Sequence, residues 1–174
     1  MAEAYPKLLS LPRHAHPSAT LLRTGADLVG IQVQDRHRRL VAVGDIARGT
    51  LVFRLEGRES PKPTRYSVQV GPGLHLDPDF GRDEFEMVQK YFWRYLDHAC
   101  EPTVRIIGRD VIALRDIAED EGVTFHYCTT EYDMATPFDC RCGSDHCMGR
   151  IRGACHLTPV QRRRLAKWMA DYLK

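Results

Sequence analysis

Cys140-Arg141-Cys142-Gly143-Ser144-Asp145-His146-Cys147 is the stretch whose reading decides this chain. Three thiols lie within eight residues, and Gly143 between them lets the backbone reverse, so all three can converge on one ion. Zinc takes four ligands in a tetrahedron, with sulfur at about 2.3 Å, and a structural site is closed when all four are protein groups. The run supplies three. Cys100, in Asp97-His98-Ala99-Cys100, is one candidate for the fourth, and Cys155, shortly after the run, is its rival. A disulfide-rich secreted chain is the competing reading. It fits less well, because no apolar signal segment opens the sequence and cysteines one residue apart suit disulfide geometry poorly. Cys128 follows an apolar run and reads as a small buried residue.

The chain has 174 residues, 43% of them hydrophobic and 28% charged, which suits one globular domain with a real core. A formal charge of +2 makes no strong field, so direct nucleic-acid contact is not expected from net charge. No stretch approaches the ~20 apolar residues that span a bilayer. Free-thiol chemistry without a targeting segment makes a reducing cytoplasm the expected compartment.

Residues 1–23 hold Pro6, Pro12 and Pro17 among short apolar runs and read as an irregular arm. Short β-rich runs follow at 28–33, 39–43, 49–53 and 66–70, the last ending at Gly71-Pro72-Gly73, a turn. From Asp83 to Tyr95, Phe85, Val88, Phe92 and Tyr95 recur at helical steps behind an acidic start, which predicts a helix. Strands are expected again at 104–107, 111–114 and 122–127. Thr158 and Pro159 then open a second helix, with Leu165, Trp168, Met169, Tyr172 and Leu173 as its apolar stripe and Arg162, Arg163 and Arg164 on its solvated face. No internal repeat is evident. Many short strands, few helices and a cysteine-rich tail make a mostly β domain.

The order of these pieces resembles the SET domain of protein lysine methyltransferases followed by their cysteine-rich post-SET segment. Residues 39–52, RLVAVGDIARGTLV, resemble the family's first hairpin. Residues 94–103, RYLDHACEPT, resemble its R-[FY]-x-N-H-S-C-x-P-N motif. Residues 113–127, ALRDIAEDEGVTFHY, resemble its A-x-R-D-I-x-x-G-E-E-[IL]-T-[FY]-[DN]-Y motif, with a one-residue difference in the middle, and 140–147 match the post-SET cysteines. The resemblance implies a SET-domain fold of several small sheets with a threaded pseudoknot, a zinc-binding post-SET segment and a C-terminal helix. The expected divisions are an arm over 1–23, the SET domain over 24–135, the post-SET zinc segment over 136–153 and the helix over 154–174.

The implied activity is methyl transfer from S-adenosyl-L-methionine to a lysine side-chain amine of a protein. Cofactor and substrate would enter from opposite faces of a narrow channel. Tyr127 falls on the family's tyrosine, whose hydroxyl orients amine and methyl. Phe125 falls on the phenylalanine/tyrosine switch, where phenylalanine suggests multiple methylation. Tyr66 falls near the substrate channel. Cofactor binding is implied for the backbone around His37, Arg38 and Arg39, for Arg94 toward a carboxylate, for Asp97 toward an amine, and for the backbone of His98. The resemblance also makes Cys100 the fourth ligand beside Cys140, Cys142 and Cys147, holding structural Zn2+. His37 and Arg39 stand where glycines are common, Asp97 and Thr103 replace asparagines, and His126 replaces an acidic or amide residue beside the expected reaction centre. Against this enzyme stand a SET-derived enzyme acting on a small-molecule amine or otherwise using S-adenosylmethionine, and a non-catalytic SET-like module that binds a lysine-bearing tail.

Overall fold

The computed structural model describes residues 19–78 and 83–174. Most of the arm read at 1–23 lies outside the described residues, but its last part, Thr20–Arg23, is strand β1 rather than irregular chain. It pairs with β2 (Val29–Gln34), which pairs in turn with β3 (His37–Ala42), all antiparallel. Ile31 faces Leu40 and Val29 faces Ala42, so the alternation of these strands directs one apolar row inward. Asp35 and Arg36 connect β2 to β3 with φ of 47° and 66°, the two-residue turn whose twist matches a hairpin.

The chain continues through β4 (Leu51–Arg54), β5 (Arg58–Ser60), β6 (Val68–Gly71), β7 (Leu74–Asp77), helix α1 (Glu84–Gln89), β8 (Asp97–His98), β9 (Val104–Ile107), β10 (Asp110–Ala113), β11 (Thr124–Phe125), β12 (Phe138–Asp139), β13 (Arg150–Ile151) and helix α2 (Pro159–Leu165). Small sheets form in the orders β5-β7-β6 and β4-β10-β9, with pairs β8-β11 and β12-β13. This is a mostly β domain.

Both predicted helices are shorter than their apolar stripes. Asp83 caps α1 through the Glu86 N–H, but Gln89 ends it, because the Gln89 carbonyl accepts the N–H of Gly25 at 3.0 Å. A Cβ on Gly25 would lie 2.2 Å from that oxygen, so only glycine permits the contact. Phe92–Tyr95 then form a 3-10 turn that brings the Trp93 indole N–H to the Glu56 carbonyl at 2.8 Å. In the tail, Thr158 and Gln161 form a reciprocal cap on α2, which stops at Leu165 instead of running to the end of the chain. The chain folds back there: the Ala170 N–H reaches the Thr129 carbonyl at 2.8 Å, and Arg162 donates to the Leu173 carbonyl at 2.6 Å. Arg162 is thus a strut rather than part of a solvated face.

Two apolar clusters result. The larger contains Ile31, Leu40, Leu55, Leu76, Trp93 and Ile106; the smaller contains Cys100, Cys128, Ile151, Leu165, Met169 and Leu173. Tyr127 packs on both. Two segments of like sequence, Asp45-Ile46-Ala47 and Asp116-Ile117-Ala118, lock the larger one. Ile46 and Ile117 exchange backbone hydrogen bonds at 2.8 and 2.9 Å, while Asp116 accepts the Arg48 N–H at 2.8 Å and Asp45 accepts the Glu119 N–H at 3.0 Å. The sequence reading passed over this short repeat.

Candidate active site and metal centre

The site is built on the parallel pairing of β8 with β11, which sets Asp97 opposite Thr124 and His98 opposite Phe125. Thr103, the replacement for an asparagine, is buried and clamps the pair. Its hydroxyl accepts the Thr124 N–H at 2.9 Å and donates to the Gly122 carbonyl at 3.2 Å. Two sequence motifs far apart in the chain are thereby held side by side. Immediately after β11 the chain tightens into a 3-10 turn, Tyr127–Thr129, which presents the Tyr127 ring at the seam between the two apolar clusters.

At that seam lies a cavity of about 500 Å³. Tyr127, Phe125, Tyr66, Arg94, Asp97 and His98 all line it, so the structure brings together most of the residues singled out above. The Tyr127 hydroxyl donates to the Leu96 carbonyl at 2.9 Å, and burial pushes its acidity well below that of a free phenol, so it stays protonated. The Phe125 and Tyr127 rings are 4.7 Å apart, and Phe138 closes the aromatic wall 5.8 Å from Tyr127. Tyr66 precedes β6 rather than lying in it; the Arg94 guanidinium stacks 4.5 Å from its ring centroid. Burial raises the Asp97 carboxyl above the usual range, opposed by the nearby charges of His37 and Arg39. His37 is well exposed, with Nε2 3.8 Å from the Asp97 carboxylate.

Arg38 and Arg39 sit apart from this wall. The Arg38 side chain turns to the Tyr95 hydroxyl, at 3.1 Å, and to Glu84. Arg39 bonds Gln32 at 2.8 Å and, with His37, lines a shallower hollow beside the hairpin turn. Any contact from this segment to a ligand in the main cavity therefore falls to its backbone and to His37. His126 does not line the cavity either. It is fully buried, its ring edge-on to His98 at 4.7 Å and its Nε2 3.1 Å from the Met148 sulfur. Burial, then the charge of Arg164, pushes its pKa down to about 4, so it is a neutral packing residue rather than a titrating group at the reaction centre.

The four cysteines that the family resemblance implies come together. Ligand atoms of Cys100, Cys140, Cys142 and Cys147 all lie within 4.8 Å of one another. A tetrahedron with zinc–sulfur distances of about 2.3 Å has edges of about 3.8 Å, and the Cys100 and Cys140 sulfurs are 3.9 Å apart. The donor set and spacing fit zinc. Cys155 is elsewhere, grouped with Asp133 and His156. Two further donors aim at Cys100: the Met148 N–H at 3.3 Å and His98 Nε2 at 3.4 Å. His98 Nδ1 accepts the Tyr127 N–H at 3.2 Å, which assigns the ring proton to Nε2 and directs it at the Cys100 sulfur. Burial pushes the His98 pKa down to about 3, so this single tautomer is neutral. One imidazole thus joins the backbone of Tyr127 to a thiol of the cysteine quartet, the place that an outer-shell partner of a metal ligand would take.

No protein-family model matches the chain. Among solved structures, KRYPTONITE in complex with mCHG DNA and SAH superposes with a TM-score of 0.50 at 17% identity, over 67% of this chain and 27% of that one. This chain has the SET-domain fold. A second KRYPTONITE structure, with mCHH DNA, an H3(1–15) peptide and SAH, gives a TM-score of 0.48 at 17% identity over 65% of this chain and 27% of that one. In sequence, the chain is 34% identical over 103 residues to methyltransferase flvH of Aspergillus flavus, a stretch covering 55% of this chain and 49% of that protein. The chain spans about half the length of that curated relative.

Sequence reasoning missed Trp93, Glu131 and Phe138 as cavity residues. Phe138 was within reach, since it stands two residues before Cys140 and must travel with the cysteine run.

Protein prepared without chelators is expected to carry one zinc per chain, measured by elemental analysis. Cys100→Ser should lose it and Cys155→Ser should retain it; the opposite pattern would move the fourth ligand.

Proposed function

We propose that the chain is an S-adenosylmethionine-dependent methyltransferase that methylates the lysine side-chain amine of a protein, with a structural zinc held by Cys100, Cys140, Cys142 and Cys147. The observation that carries this reading is the meeting of the Tyr127 hydroxyl and the Leu96 carbonyl, 2.9 Å apart, in a cavity that also holds Arg94 and Asp97. Methyl transfer to an amine needs a neutral nucleophile, collinear partners and a dry site, and little covalent help. Phe125, Tyr127 and Phe138 supply an apolar wall against which such a transfer could be shielded from water. A guanidinium and a carboxylate lining one cavity match the α-carboxylate and α-ammonium of a methionine moiety, so Arg94 and Asp97 would hold that end of the cofactor. The cofactor supplies an electrophilic methyl group on a sulfonium. Tyr127 is fixed by its bond to Leu96 and its contacts with both clusters, and it orients the acceptor nitrogen. Phe125 contributes a ring without a hydroxyl, leaving room for an amine already carrying a methyl group.

Labelled S-adenosylmethionine incubated with the protein and a cell extract tests the reading: label should enter protein, and label found only in small molecules, or in nothing, would overturn it.

Tyr127→Phe should lower turnover by at least ~100-fold while leaving S-adenosylhomocysteine affinity nearly unchanged, measured by single-turnover kinetics and calorimetry. Unchanged turnover would remove Tyr127 from the mechanism. Wild-type protein should carry product beyond the monomethyl stage, and Phe125→Tyr should restrict it toward one methyl, read by mass spectrometry. A wild-type product that stops at one methyl would leave Phe125 as a packing residue.

A further inference from the structure

Glu131 is a charged residue in an apolar setting that the reading above does not use. It stands in the turn after Tyr127, its N–H donating to the Tyr127 carbonyl at 2.9 Å. The residue is only 6% exposed, yet it lines the same cavity as Tyr127, Phe125, Trp93 and Tyr66. One carboxylate oxygen accepts the Gln69 N–H at 2.7 Å and lies 3.4 Å from the Thr130 hydroxyl. Arg65, Arg94 and Arg141 also line the cavity, but no cation among the described residues pairs with Glu131.

The position is rigid. The Gln69 side chain accepts the Tyr132 N–H at 2.8 Å, and the Tyr172 hydroxyl donates to the carbonyls of Gln69 and Thr130 at 2.7 and 3.0 Å. These bonds stitch β6 to the turn that carries Glu131. If the side chain served only to satisfy the Gln69 N–H, glutamine would do so without burying a charge. An unpaired carboxylate out of water costs several kcal/mol, and burial accordingly pushes the Glu131 pKa up to about 7. Such a cost at a cavity wall marks a group waiting for a partner. Tyr66, Trp93, Phe125 and Tyr127 line the same cavity, and aromatic faces favour a cation over an anion.

We propose that Glu131 is the carboxylate that receives the substrate's ammonium group, making this cavity selective for an aliphatic ammonium over uncharged chains of the same length. The proposal rests on the methyltransferase reading of the same cavity and adds the recognition residue to it. Glu131 acts in binding and leaves the cofactor end, at Arg94 and Asp97, untouched.

The test uses n-butylammonium chloride as probe and 1-butanol as its uncharged counterpart, each titrated into the isotope-labelled protein by NMR, with and without S-adenosylhomocysteine. Wild type should bind the ammonium at least ~10-fold more tightly than the alcohol. Glu131→Gln, which keeps an acceptor for the Gln69 N–H, should erase that preference while S-adenosylhomocysteine affinity and melting temperature stay near wild type. Glu131→Asp, one methylene short but still charged, should keep a reduced preference and serves should the glutamine variant not fold. No preference in wild type, or an undiminished one in Glu131→Gln, would overturn the proposal. Ammonium preference in a protein that does not bind S-adenosylhomocysteine would instead overturn the methyltransferase reading and leave the Glu131 site standing.

Discussion

The convergence of Cys100 with Cys140, Cys142 and Cys147 is the constraint on which the rest of the site depends. Cys100 lies two residues after β8, one strand of the pair that organises the cavity, and the other three belong to the tail. Drawing their sulfurs together fixes where the tail lies. Phe138, Cys140 and Cys142 then become part of the cavity wall, and the smaller apolar cluster closes behind them around Ile151, Leu165 and Leu173. The regular elements of residues 138–173 are two-residue β12 and β13 and a seven-residue helix, which have little stability of their own, so the convergence adds to isolated tethers such as Ala170 N–H to the Thr129 carbonyl and the Tyr172 hydroxyl to the carbonyls of Gln69 and Thr130.

The cysteine cluster and the cavity are also linked by a single side chain. His98 accepts from the Tyr127 backbone through Nδ1 and directs Nε2 at the Cys100 sulfur. Burial keeps the ring neutral, so both bonds persist in one tautomer. The aromatic neighbours Tyr127, Phe138 and His126 box the imidazole in edge-to-face contacts between 4.7 and 5.6 Å. The histidine of the Asp97-His98-Ala99-Cys100 motif thus has a structural task beyond its backbone: it holds the tyrosine turn and the thiol in one geometry.

Much of this was legible in the sequence, and the parts that were not share a cause. β-branched runs marked β2, β3, β4, β9 and β10, because such residues suit a pleated, half-buried surface. β5, Arg58-Glu59-Ser60, carries no such signal and is a strand only because β7 pairs with it. The helices were recognised by their stripes but overextended, since periodicity records which residues are buried and not where a tertiary hydrogen bond halts the helix, as Gly25 does at Gln89. Cys140, Cys142 and Cys147 were legible because close thiol spacing is a strong local signal, while Cys100 was legible only through the family resemblance of its motif. Glu131 was not: a glutamate after two threonines reads as surface, and only the seam between two clusters takes it out of water. His126 stands beside Tyr127 in sequence yet is a buried packing residue, because it is the extended residue between β11 and the Tyr127 turn and does not line the cavity.

The central claim is that the cysteine cluster completes the cavity. Calorimetric titration of S-adenosylhomocysteine into the protein before and after its metal is stripped by a chelator tests this most directly. The account predicts that affinity falls by at least about tenfold in the stripped protein and returns when zinc is restored, because the tail that forms part of the wall loses its anchor. Equal affinity in a metal-free protein that remains folded would contradict it.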